Sequence, residues 1–227
     1  MAESFEWPAL EGNPEIFTEY MRQTGMSSSW AFGEVFGFDE ELLAFLPSPI
    51  MAVIANVERI EKLGDKSRGD PAINMPFYMK QTDKLDNACG IIACLHALYN
   101  NPAVVSDLAD GSILANHLTS VLGLSPEARA AALESNTAMQ AVHRERANDG
   151  GSQIPQEQHE VKNHFVAFVV DDLKRLIELD GTKAGPVVVA EGCEDVLRGT
   201  IAEIQRRLAA NEISDRLALL TLNPASD

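Results

Sequence analysis

Cys89 stands at the start of the most apolar helix-like stretch of the chain, Asn87-Ala88-Cys89-Gly90-Ile91-Ile92-Ala93-Cys94-Leu95. The pattern predicts a helix entered at Asn87, a side chain suited to capping, with Cys89 in the first turn. N–H groups of a first turn lack intrahelical partners. Together with the helix dipole they favour an anion, so a thiolate is favoured at this place. Such a sulfur on a rigid base could attack a carbonyl carbon if a base and an orienting acid arrive from elsewhere in the chain. A lone cysteine is more often a small core residue. Cys94, deeper in the same helix, is read that way.

Five histidines could supply the base: 96, 117, 143, 159 and 164. His96 lies within the apolar helix and reads as a satisfied core residue. His117 and His143 sit on helical stretches without acids at useful spacing, and His159 belongs to a polar loop. His164 opens an apolar strand directly after that loop, so its ring can face the loop side while Phe165, Ala167 and Val169 alternate with their neighbours. Asp180 closes the next strand, sixteen positions on. A hairpin unites the two where its register permits. Asp180-Gly181 is equally an ordinary turn dipeptide, and taken alone that reading weighs more.

The elements that must position these residues can be read along the chain. Asn13-Pro14-Glu15 starts a helix that Gly25 ends, and Ser29 to Phe36 suits a strand. Asp39 caps a short helix from Glu40 to Phe45. The continuous apolar run Ile50 to Val57 predicts a central strand, and Glu61 to Asn74 an exposed loop. A short strand, Pro76 to Met79, leads through a polar turn into the apolar helix. Helices are expected over Ser112 to Leu122 and Pro126 to about Arg146. Residues 147–162 have no periodicity, and a loop of that length is usually functional. Strands His164 to Val170 and Lys174 to Leu179 follow, joined at Asp171-Asp172. A short strand at Val187 to Ala190, a helix from Glu194 to Ala210 and a strand from Leu217 to Leu222 complete the chain. Without a βαβ rhythm this implies an α+β fold, with an antiparallel or mixed sheet covered by helices on both sides.

Composition narrows the function. The 227 residues include 18 basic and 34 acidic ones, a net charge of −16, which makes nucleic acid and anionic lipid poor partners and a basic protein a good one. Simple solubility would also account for such a charge. The cysteines at 89, 94 and 193 are odd in number and irregularly spaced, against a disulfide framework and against zinc. No metal or cofactor is expected. The first residues carry no signal-peptide pattern and no apolar run has membrane-spanning length, so a cytosolic or nucleocytoplasmic protein is expected.

Several motifs in order carry a resemblance. They are Trp7 with Leu10-Glu11 and Asn13-Pro14, Trp30-Ala31-Phe32 through Phe36-Gly37, Pro47 to Val53, and Tyr78-Met79-Lys80-Gln81-Thr82. Asn87-Ala88-Cys89-Gly90, Asn163-His164-Phe165 and Glu178-Leu179-Asp180-Gly181 follow. Over nearly its whole length the chain resembles a short, single-domain ubiquitin C-terminal hydrolase, a papain-like cysteine peptidase with a central, mostly antiparallel sheet between helices. The resemblance implies one catalytic domain over residues 1–227. It makes Cys89 the nucleophile, His164 the general base and acid, Asp180 its orienting group and Gln81 an oxyanion donor. It implies that residues 147–162 cross over the active site as a gate. Ubiquitin, with a basic face, would be contacted by Ala9, Leu10, Glu11, Gly12, Asn13 and Pro14, by Asn148, Asp149 and Gly150, and by Ile213, Ser214, Asp215, Arg216 and Leu217.

The chain departs from the family pattern twice. Eight positions separate Gln81 from Cys89, so the turn Asp83 to Asp86 carries a short insertion. The tail reads Arg216-Leu217-Ala218, without the asparagine that the family places there. The main reading is a monomeric deubiquitinating thiol hydrolase. A ubiquitin-binding regulator with weak turnover is the alternative, favoured only by the Gln81–Cys89 spacing. A thiol-redox protein is disfavoured, because no second cysteine lies at a two-residue spacing from Cys89.

Overall fold

The computed structural model describes residues 5–59, 68–146 and 163–226. Asn13 opens helix α1 (Pro14–Thr24) as its type predicts, its Oδ1 accepting from the N–H groups of Glu15 at 2.8 Å and Ile16 at 3.4 Å. Gly25, at a φ of 125°, ends the helix with its N–H turned back on Met21 and Arg22. The strands are β1 (Trp30–Glu34), β2 (Ala52–Arg59), β3 (Asn163–Val170), β4 (Leu176–Leu179), β5 (Val187–Ala190) and β6 (Ile213–Pro224). They form one sheet in the order β1-β6-β2-β3-β4-β5, with every neighbouring pair antiparallel.

The remaining helices are α2 (Glu40–Leu43), α3 (Cys89–Tyr99), α4 (Pro102–Ser106), α5 (Ile113–Val121), α6 (Pro126–Glu134), α7 (Thr137–Arg146) and α8 (Val196–Ala209). The two-residue period of the strands divides them between two cores. In β2, Ala52 and Ile54 enter one core while Val53, Ala55 and Val57 enter the other. The first is shared with α1, α3, α5, α6 and α7, the second with Val196, Leu197, Ile201 and Ile204 of α8. The sheet therefore has helices on both faces, as expected. All eleven residues of α3 are buried, in agreement with its apolar circumference. Among the described residues no helix is long and apolar enough to cross a membrane.

Three local expectations are corrected. Helix α3 begins at Cys89 with Ala88 in the capping position, and no side chain caps it. A 3-10 turn over Asp83–Leu85 leads the chain in instead, with the Ala88 N–H donating to the Leu85 carbonyl at 2.9 Å, so Asn87 is not the cap. Residues 76–79 are not a strand, because side chains meet their backbone groups. Phe77 N–H donates to Asn100 Oδ1 at 3.0 Å, Asn100 Nδ2 donates to Phe77 O at 2.7 Å, and Met79 N–H donates to His96 Nε2 at 3.1 Å. Finally, the single helix expected over 126–146 is two helices. Ser135 Oγ bonds back to the Ala131 and Ala132 carbonyls, and Asn136 Oδ1 accepts from Met139 N–H at 3.0 Å to open α7.

Asn100 thus answers both backbone groups of Phe77, a residue only 1% exposed. Asn100→Ala is expected to cost about 2–4 kcal/mol, since it strands a buried donor and a buried acceptor. Urea unfolding should show a lower midpoint with an unchanged slope.

Candidate active site

His164 is the second residue of β3, and Asp180 follows the last residue of β4. The hairpin register pairs Ala167 with Leu179, so β4 runs back along β3 and delivers Asp180, the next residue, to the His164 end of the hairpin. The register permits the pairing that the sequence left open. His164 Nε2 lies 2.8 Å from Asp180 Oδ1. That oxygen also accepts from the Thr182 N–H at 3.0 Å and the Thr182 hydroxyl at 2.8 Å, within a carboxylate side chain that has no exposed surface.

With Nε2 on Asp180, Nδ1 is the nitrogen left for Cys89, whose side chain acts electrostatically on the ring. Cys89 opens α3, where first-turn N–H groups have no intrahelical acceptor. Burial of the ring opposes its charged form, but the charge and hydrogen bond of Asp180, and then Cys89, outweigh it and raise the His164 pKa to about 9. The other three described histidines go the opposite way. Burial lowers His96, His117 and His143 to about 4. Burial likewise pushes up the thiols of Cys94 and Cys193, as expected of core cysteines.

Gln81 reaches the same place along a different path. Its N–H donates to Gly181 O at 2.9 Å, and a Cβ at Gly181 would lie 2.8 Å from that nitrogen. Only glycine allows this approach. The turn between Gln81 and Cys89 is compact, with Leu85 of the 3-10 segment fully buried. Gln81 Nε2 spans it to donate to Asp86 O at 2.6 Å, which leaves the second amide proton uncommitted by that bond.

Two of the expected partner-binding segments lie near His164. Gly12 packs on the residue after it: a Cβ there would be 3.3 Å from the Phe165 ring and 3.1 Å from Asn56 Nδ2. Ala9, Glu11, Gly12, Asn13 and Pro14 are half-buried, while Leu10 is buried in the core and the Asn13 side chain caps α1. Between Val57 and Arg59 the pairing of β2 with β6 jumps from Leu217 to Ile213, so Ser214 to Arg216 form a bulge. Val57 pairs with Leu217 on one side and His164 on the other, which sets the bulge at the His164 end of the sheet. Asp215 and Arg216 are exposed there, and Ile213 is buried. Asn148, Asp149 and Gly150, with the rest of 147–162 including His159, lie outside the described residues.

Sequence reasoning missed Thr182 and Tyr78. A side-chain acceptor bonding the N–H two residues on is a known habit of aspartate, so Asp180-Gly181-Thr182 held a usable signal. Nothing local marks Tyr78, whose hydroxyl donates to Asp180 O at 2.8 Å from 102 positions away.

A ring whose pKa is higher folded than unfolded stabilises the fold fully below about 6.5, and that contribution is lost as pH rises through about 9. NMR titration of the His164 ring is expected to give a midpoint near 9, moving to lower pH in Asp180→Asn. The stability difference between wild type and Asp180→Asn should then shrink between pH 6 and pH 10.

Known proteins share this organisation. The family model for ubiquitin carboxyl-terminal hydrolase, family 1, matches residues 7–209. A ubiquitin carboxyl-terminal hydrolase of Aplysia californica is 36% identical over 220 residues, covering 93% of this chain and 99% of the relative. A probable ubiquitin carboxyl-terminal hydrolase of Dictyostelium discoideum is 33% identical, covering 95% of this chain and 87% of the relative. The crystal structure of the Trichinella spiralis UCH37 catalytic domain bound to ubiquitin vinyl methyl ester superposes with a TM-score of 0.77 at 22% identity, over 97% of this chain and 96% of that one, and shares its fold. With a family model matching most of its length and relatives above 30% identity across nearly all of it, the chain belongs to the ubiquitin carboxyl-terminal hydrolase family 1.

Proposed function

We propose that this protein is a cysteine-dependent deubiquitinating hydrolase that cleaves adducts from the C-terminal glycine of ubiquitin through a thioester. One observation carries the reading: in a chain of this family, an imidazole is held by a buried carboxylate at 2.8 Å, with its other nitrogen left for a cysteine at a helix N-terminus whose side chain acts on the ring. In the reading, His164 carries a proton at neutral pH and Cys89 reacts as its thiolate. The sulfur attacks the carbonyl carbon of the glycine. The charge that develops on oxygen is met by the Cys89 N–H and the uncommitted Gln81 amide proton. Collapse expels the leaving amine, which takes its proton from His164, and leaves the thioester. Neutral His164 then draws a proton from water as its oxygen attacks the thioester carbon, and collapse releases the glycine acid and returns the Cys89 thiolate beside protonated His164. Asp180 holds the ring and its charge throughout.

Ubiquitin as partner is supported by family membership, by the net charge of −16 and by the Trichinella spiralis neighbour, crystallised with a ubiquitin ester. We read residues 1–227 as one catalytic domain, with Ala9 to Pro14 and Ile213 to Leu217 among its ubiquitin contacts. Restriction to small or unfolded adducts rests on the gate role that family likeness assigns to 147–162, residues outside those described. Three unpaired cysteines support a reducing cytoplasmic or nucleocytoplasmic compartment.

Release of a fluorophore from the ubiquitin C-terminus tests the reading. Cys89→Ala should abolish release and keep ubiquitin binding. Gln81→Ala should lower kcat by about 10²–10³ with little change in KM. Unchanged release in Cys89→Ala would discard the nucleophile.

A further inference from the structure

The segment 77–81 and the turn 179–184 meet largely through side chains, with Tyr78 at the centre. Its hydroxyl lies 2.8 Å from both Asp180 O and Lys183 O. Its ring stacks on His96, with centroids 5.3 Å apart and planes 7° from parallel. His96 in turn bridges the two pieces of chain, accepting from Met79 N–H and bonding Leu179 O through Nδ1 at 3.2 Å. One residue of the segment therefore holds the backbone of Asp180. Three positions further on, Gln81 holds that of Gly181.

We propose that Tyr78 is a positioning residue for the reaction: its hydroxyl keeps the Asp180 carboxylate at the angle His164 requires and locks that carboxylate to Gln81, so that orienting acid and oxyanion donor keep a common geometry. The proposal rests on the roles read for those residues above. Without the hydroxyl the turn persists, because Asp180 O retains the Lys183 N–H at 3.0 Å and Lys183 O retains the Lys80 ammonium. It loses the contact that stops it pivoting, and the carboxylate then spends time away from the imidazole. Asp180, Glu127 and Glu178 act on the hydroxyl with negative charge, Lys80 lies 5.8 Å from the ring centroid, and Arg129 donates to the Tyr78 carbonyl. Burial, followed by those acids, holds the hydroxyl in its protonated, donating form, so a pH profile reports on His164 and not on Tyr78.

Tyr78→Phe removes one oxygen and keeps the ring on His96. Two pH profiles are read: kcat/KM for the ubiquitin–fluorophore conjugate, and the iodoacetamide alkylation rate of Cys89, with the modified residue mapped by mass spectrometry. The variant is expected to lose about three- to tenfold in kcat at unchanged KM. The alkaline limb should move to lower pH in both profiles, as a loosened Asp180 holds the imidazolium less tightly. Tyr99→Phe is the comparison, since its hydroxyl donates to Leu114 O at 3.0 Å in another part of the core. It should lower the melting temperature and leave the limb in place. A limb unmoved in Tyr78→Phe, or moved equally in Tyr99→Phe, overturns the proposal. Failure of the wild type to release the fluorophore would sink the ubiquitin reading, while the alkylation profile still decides the role of Tyr78.

Discussion

Helix α3 has no polar face, and the architecture follows from covering it on every side. Ile91, Leu95 and Leu98 are fully buried, and burial of each such side chain is worth about 1.5–3 kcal/mol. The sheet covers one side through residues such as Ala167 and Leu179, and α1, α5 and α7 contribute Phe17, Leu114 and Met139 to the same core. A helix gripped in this way cannot shift its start. Gly90, the second helical residue, is already so close to Phe17 that a Cβ would sit 3.3 Å from that ring. The sulfur of Cys89 is placed by packing before any polar contact acts on it.

The polar groups around that helix divide by what they must do. His96 and Asn100 are neutral in the core and spend their bonding capacity on the backbone of 77–79 and on Leu179. That releases a piece of chain from sheet pairing and lets it lie across the Asp180 turn. His164 stands at the strand end, 14% of its side chain exposed, with a carboxylate that holds it charged. Identical imidazoles thus serve opposite purposes, because burial without an acid favours the neutral form and a paired carboxylate favours the charged one.

The second face of the sheet bears on the same turn. Glu178, fully buried two residues before Asp180, gives one oxygen to Lys183 and the other to Arg207 of α8, each at 2.5 Å. Buried charges persist only when matched, and here the match fastens α8 to the strand that ends at Asp180. Lys183 belongs to the turn itself, so its side chain closes the loop from within. Helix α8 thereby braces the turn that carries Asp180.

Local chemistry made much of this legible. The Asn13 cap, the Gly25 stop, the apolar β2 run and the buried α3 could be read directly, since period and capping depend on near neighbours alone. So could Cys89 at a helix start and His164 at the head of an apolar strand. The chain by itself therefore determined most of the elements and which residues have the right chemistry. What only the tertiary structure decided was their meeting: the register that sets Asp180 beside His164, the side chains of Asn100 and His96 that turn an expected strand into a strap, and the contact from Tyr78. Those depend on groups up to 105 positions apart. Contacts of that kind arise when burial brings distant segments together, and no window of sequence contains both partners.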